Sequence, residues 1–131
     1  MSKGHDWRWI DKEIVLAIHG AQIIEHGGDS GLRDAGLLES ALARAKNAAA
    51  YGDPSPYELA ALYAASVCKN HPFVDGNKRV SLVLLGVFLD SNGYELTASE
   101  VDAYVAIMML ASGEIYESEL ATWIEVRSKP Q

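Results

Sequence analysis

The sequence predicts an all-α, compact single-domain bundle of about six helices around a central buried helix. Three observations carry that expectation. Apolar residues recur at helical spacing in six segments, and most segments open or close on a capping residue. The stretch from Asn77 to about Asp90 is apolar nearly all round, so it has to be buried on most faces. No convincing alternating strand interrupts the pattern, apart from a short extended piece at Tyr94 to Leu96.

In chain order, residues 1–6 read as a loose end, after which Trp7, Trp9 and Ile10 supply bulk for packing on the body of the domain. Asp11 caps a first helix whose expected core face is Ile14, Ala17, Ile18, Ala21 and Ile24, and Gly27 with Gly28 stops it. His19 and His26 fall seven apart on its other side. With no HExxH and no cysteine beside them, they read as structural histidines before a metal pair. Gly27 to Arg33 is a glycine-rich turn, and Asp34 caps a second helix carrying Leu37, Leu38, Ala41, Leu42 and Ala45. Arg33 either faces a bound phosphate or bonds carbonyls or a carboxylate to hold the loop.

Ser55, Pro56 and Glu58 form a capping box with proline at the first helical position, opening a third helix that runs to about Asn70. The fourth is the apolar helix from Asn77, ended by Ser91, Asn92 and Gly93. Leu96, Thr97, Glu100 and Val101 read as a second capping box with a hydrophobic staple. The helix they open carries Val105, Met108 and Met109 as core and closes at Gly113. A last helix spans about Glu117 to Arg127 with Leu120, Trp123 and Ile124, and residues 128–131 read as a tail.

At 131 residues the chain is expected to be one domain, 1–131, able to bury roughly two-thirds of its unfolded surface. Its one cysteine, Cys68, lies in an apolar helical pattern and reads as a core thiol. A net charge of -7 without a basic stripe argues against a direct nucleic-acid partner. The N-terminus lacks the apolar centre of a signal peptide, and no apolar run is long enough to span a bilayer. The expectation is a soluble, cytoplasmic protein with no membrane partner.

The stretch His71 to Ser81, HPFVDGNKRVS, organises the chain. Pro72 disfavours helical geometry at His71, which leaves the imidazole on a break between two helices. Gly76 allows a tight entry into the next helix, whose first N–H groups have no internal partner and favour an anion. Lys78 and Arg79 sit in that first turn, where a cation opposes the helix dipole by about 0.3–1 kcal/mol. Two cations and free N–H groups beside Asp75 and His71 suit phosphates carrying a metal ion better than they suit an isolated helix.

His71, Pro72, Phe73, Asp75, Gly76, Asn77, Lys78 and Arg79 resemble the signature loop of the Fic/Doc family, and Lys78 resembles its Doc ("death on curing") branch of bacterial toxins. The resemblance continues through His26 to Leu42 and the Asn92 and Gly93 that precede Tyr94. It implies ATP and Mg2+ as cofactors. His71 would be the general base, Asp75 the Mg2+ ligand, and Gly76, Asn77, Lys78 and Arg79 the nucleotide-binding groups, with His71, Asp75, Lys78 and Arg79 catalytic. AMP-transferring members carry glycine where Lys78 stands and a second arginine where Leu82 stands, so the resemblance implies transfer of the gamma-phosphate to a Thr or Ser hydroxyl. The implied target is a threonine of translation elongation factor Tu, and the implied partner a small Phd-like antitoxin whose C-terminal segment covers the site. No S/T-x-x-x-E-G/N inhibitory motif occurs in the chain. An AMP transferase and a non-catalytic nucleotide- or antitoxin-binding module are the competing readings.

Overall fold

A computed structural model describes residues 6–131, so of the expected loose end only Asp6, which is exposed, lies among the described residues. Six helices and one small sheet follow in the order α1 (Lys12–His26), α2 (Ala35–Tyr51), α3 (Pro56–Asn70), α4 (Asn77–Ser91), β1 (Tyr94–Leu96), α5 (Glu100–Ser112), α6 (Glu117–Val126) and β2 (Ser128–Pro130). The all-α expectation of about six helices holds. The expected tail does not, because Ser128, Lys129 and Pro130 pair antiparallel with Leu96, Glu95 and Tyr94. Beyond them the Gln131 N–H donates to Gly93 O at 2.9 Å.

The core sits between α3 and α4. The apolar α4 buries Val80, Leu82, Leu84, Leu85, Phe88 and Leu89, as a helix without a polar face has to. Each such side chain contributes about 1.5–3 kcal/mol on removal from water. α3 is as central, since Leu59 to Cys68 are buried with the single exception of Leu62. Its alanines let α2, α4 and α6 approach, and its start is the expected capping box: Ser55 Oγ accepts from Glu58 N–H while Glu58 Oε1 accepts from Ser55 N–H. Trp7 and Trp9 pack on Phe88 at 6.0 and 6.1 Å between ring centroids, and the Ile10 N–H donates to the Tyr63 hydroxyl.

Two faces differ from the sequence expectation. In α1 the buried residues are Val15 and His19, whereas Ile14 and Ile24 are exposed. Residues 14–18 are apolar without a break, so their spacing does not fix the phase, and a histidine occupies the inward position. In α5 the buried side is Ala103, Ala106, Ile107 and Leu110, while Val101, Val105 and Met108 are exposed. Small residues let α5 lie close to its neighbours, and the large ones face outward. Its N-cap is Ser99, which accepts from Asp102 N–H. Thr97 is used elsewhere: its N–H and hydroxyl both donate to Arg127 O, tying β1 to the end of α6.

No helix of the described residues is long and apolar enough to cross a membrane.

Candidate active site

The loop joining α3 to α4 begins in an unfavourable backbone state. His71 ends α3 at φ 50, ψ 57, the only non-glycine among the described residues with positive φ. For a residue with a Cβ that conformation costs roughly 1–2 kcal/mol. Arg33 offsets it, with Nε donating to His71 O at 2.7 Å and Nη2 donating to Asn70 O at 2.8 Å. Of the two roles open to Arg33, the structure assigns the carbonyl-binding one, a cap on the end of α3.

The turn of residues 27–34 clasps the loop along its length. Arg33 and Asp34 N–H both donate to Pro72 O, Leu32 and Phe73 form an antiparallel bridge, and Val74 N–H donates to Gly31 O. Asp29 N–H donates to Asp75 Oδ2 at 2.8 Å. Gly28, at φ +116, passes so close that a Cβ there would lie 3.2 Å from the Asp75 Cβ. Below the loop, His19 stacks on Phe73 with 3.8 Å between ring centroids, and its Nε2 donates to Asp75 O at 2.9 Å. His19 is therefore a structural histidine, as its default reading had it. His26 is exposed, with Glu25 at 3.8 Å.

Gly76, at φ 85, takes the N-cap position of α4 and offers no side-chain cap. Asp75 consequently does not cap the helix, and only one of its carboxylate oxygens has a protein partner among the described residues. Asn77 is buried and spends its amide on the loop: Oδ1 accepts from Phe73 N–H and Nδ2 donates to Phe73 O, with His71 Nδ1 3.4 Å away. Ser81 Oγ donates to Asn77 O one turn on. The first three N–H groups of α4 have no carbonyl four residues back to bond and face the loop. Lys78 is exposed. Arg79 lies against α5, its Cζ 4.2 Å above the Tyr104 ring centroid and Nη1 3.7 Å from Glu100 Oε1.

His71, Asp75, Gly76, Asn77, Lys78 and Arg79 line one cleft of about 260 Å³, which Val74 and Tyr104 complete. A larger groove of about 360 Å³ between α5 and α6 is mostly apolar and holds none of these groups. The donor set fits a phosphate-bound Mg2+: a carboxylate oxygen without a protein partner, a helix start rich in N–H groups and two cations meet at one mouth. Sequence reasoning missed Asp29, Glu100 and Tyr104. Glu100 and Tyr104 are four apart on a helix, a spacing that places them on one side of α5, but nothing local says that this side meets the start of α4.

A family model described as Fic/DOC family matches residues 9–89, a span that holds both the clasping turn and the loop. The chain is 33% identical over 115 residues to "Protein kinase doc" of Escherichia phage P1, covering 87% of this chain and 90% of that protein. It is 40% identical over 93 residues to "Toxin Doc" of Mycolicibacterium smegmatis, covering 69% and 68%. This chain belongs to the Fic/Doc family.

Proposed function

We propose that the chain is a Doc-like toxin that transfers the gamma-phosphate of ATP to a Thr or Ser hydroxyl of a target protein. The observation that carries this reading is the junction itself. Gly76 relieves Asp75 of capping, so its spare carboxylate oxygen faces the same cleft as the free α4 N–H groups, Lys78 and Arg79. The names of the two relatives, a protein kinase and a toxin, support the same reading.

His71 is the general base that accepts the proton of the attacking hydroxyl, and its Nδ1 stands 3.4 Å from the Asn77 Nδ2 that also holds the loop. General-base help of this kind is worth about 10²–10⁴ in rate. Asp75 would hold Mg2+, which when bound neutralises phosphate charge as the bond to the departing ADP breaks. Lys78, Arg79 and the N–H groups of Gly76 and Asn77 hold phosphate oxygens. The Asn77 side chain acts indirectly, by fixing the loop. Leu82 is buried at 8% exposure, so the position that carries arginine in AMP-transferring members offers no cation to the cleft.

The target is elongation factor Tu, modified on a threonine. The neutralising partner is a small Phd-like antitoxin whose C-terminal segment covers the cleft. Mass spectrometry of elongation factor Tu after incubation with the protein, ATP and Mg2+ tests the first part beside a His71→Ala control. A His71-dependent gain of one phosphate is expected; gain of AMP would move the assignment to adenylyl transfer. Titration with the antitoxin segment tests the second, and transfer that persists at saturation would remove it.

A further inference from the structure

We propose that Tyr104 is the positioning residue for Arg79, its ring fixing the plane of the guanidinium so that the in-plane N–H groups point into the cleft. The inference rests on the phosphate-transfer reading above and deepens it. Arg79 stands in the first turn of α4, where the helix dipole opposes a cation, on a long side chain with many rotamers. Something outside α4 has to hold it.

Two groups on one side of α5 meet it. Glu100 lies 3.7 Å from Nη1, beyond a good hydrogen bond, with 74% of its side chain exposed, so water and salt screen the pair. A carboxylate also approaches through the in-plane N–H groups, which are the groups a phosphate needs. Tyr104 is different in kind. At 4.2 Å from the centroid to Cζ, the ring attracts the cation through its face, and a ring on the face of a guanidinium occupies none of its in-plane N–H groups. Tyr104 is also half-buried and lines the cleft beside Arg79, so the contact persists when Glu100 is displaced by phosphate. Glu100 is thus a resting contact, and Tyr104 sets the aim of the guanidinium. The contact is made by the face of the Tyr104 ring, so the ring and not the hydroxyl is what matters.

The test combines kinetics with a measurement that needs no turnover. Rates with gamma-labelled ATP and Mg2+ are compared for wild type, Tyr104→Leu and Tyr104→Phe, each with Arg79 and with Arg79→Ala, beside melting temperatures. Tyr104→Leu is expected to lower kcat about 3- to 30-fold with a smaller change in the KM for ATP. Tyr104→Phe recovers most of that loss, and Tyr104→Leu adds nothing once Arg79 is alanine. Loss of equal size with and without Arg79, or a phenylalanine variant as poor as leucine, would overturn the proposal. The proton spectrum of Arg79 decides where rates are too low to compare, or where the wild type transfers no phosphate and only the functional reading has failed. Its side-chain protons should be shifted upfield by the ring in wild type and Tyr104→Phe and should lose that shift in Tyr104→Leu. Unshifted Arg79 protons in the wild type would end it.

Discussion

Asp75 and Asn77 stand two residues apart and divide the loop between them, one outward and one inward. Asp75 uses one carboxylate oxygen on the Asp29 N–H, a bond that an amide oxygen can also accept. Asp75→Asn should therefore leave the clasp closed, with stability within about 0.5 kcal/mol of wild type in urea unfolding. Mg2+-dependent ATP binding, read by calorimetry, should weaken by about tenfold or more because the negative charge is gone. Asn77→Ala should split the other way. It removes both hydrogen bonds to the Phe73 backbone in a buried place, which lowers stability by about 1–3 kcal/mol and loosens His71 with it. Equal effects of the two variants on binding and on stability would contradict the division.

At the scale of elements, the end of α3 and the turn after α1 act as one unit through Arg33. Its fork reaches two carbonyls at once, at 2.7 and 2.8 Å, and holds the peptide that presents His71. Arg33→Ala should lower stability by about 1–3 kcal/mol and reduce transfer, and lysine, a point charge without the fork, should restore only part of either. Urea unfolding and the labelled-phosphate assay check both. What was legible in the sequence follows the same division. The α3 capping box is local chemistry and forms as read, and the loop from His71 to Arg79 falls between α3 and α4 where Pro72 and Gly76 put it, although the Asn77 side chain turns inward to the Phe73 backbone. The clasp itself is not local, since the register of residues 29–34 against 72–75 depends on how α2 packs on α3 and α1 on α4. Nor is the inward face of α1, where His19 is buried because Phe73 stacks on it and Asp75 O accepts its proton. For α5, side-chain size points to Val105, Met108 and Met109 as core, yet Ala103 and Ala106 are what permit close packing against the body. Residues 128–131 look like a tail because their strand partner lies more than thirty residues back.

In the whole molecule, the helix that delivers His71 also carries two buried acids, and this makes the fold sensitive to alkali. Burial pushes the Tyr63 phenol above its ordinary 10.0, an effect only partly opposed by the hydrogen bond from Ile10 N–H. Burial likewise pushes the Cys68 thiol above 9.0, against the pull of Lys78 and Lys69. Both groups keep their protons longer in the folded state than in the unfolded one. Each contribution to stability is therefore complete below the unfolded value and is lost as pH rises through the folded value. The urea midpoint should hold steady to about pH 8 and then fall as pH rises through and beyond the ordinary values of the thiol and the phenol, the thiol contributing before the phenol. Tyr63→Phe together with Cys68→Ala removes both titrations, so its midpoint should begin lower, having lost the Ile10 contact, and then fall less steeply. Because both groups sit on α3, the wild-type loss should be cooperative across the bundle, with the helical circular dichroism and the tryptophan fluorescence of Trp7 and Trp9 on Phe88 changing together. An equally steep fall in the double variant would place the alkaline sensitivity outside the α3 core.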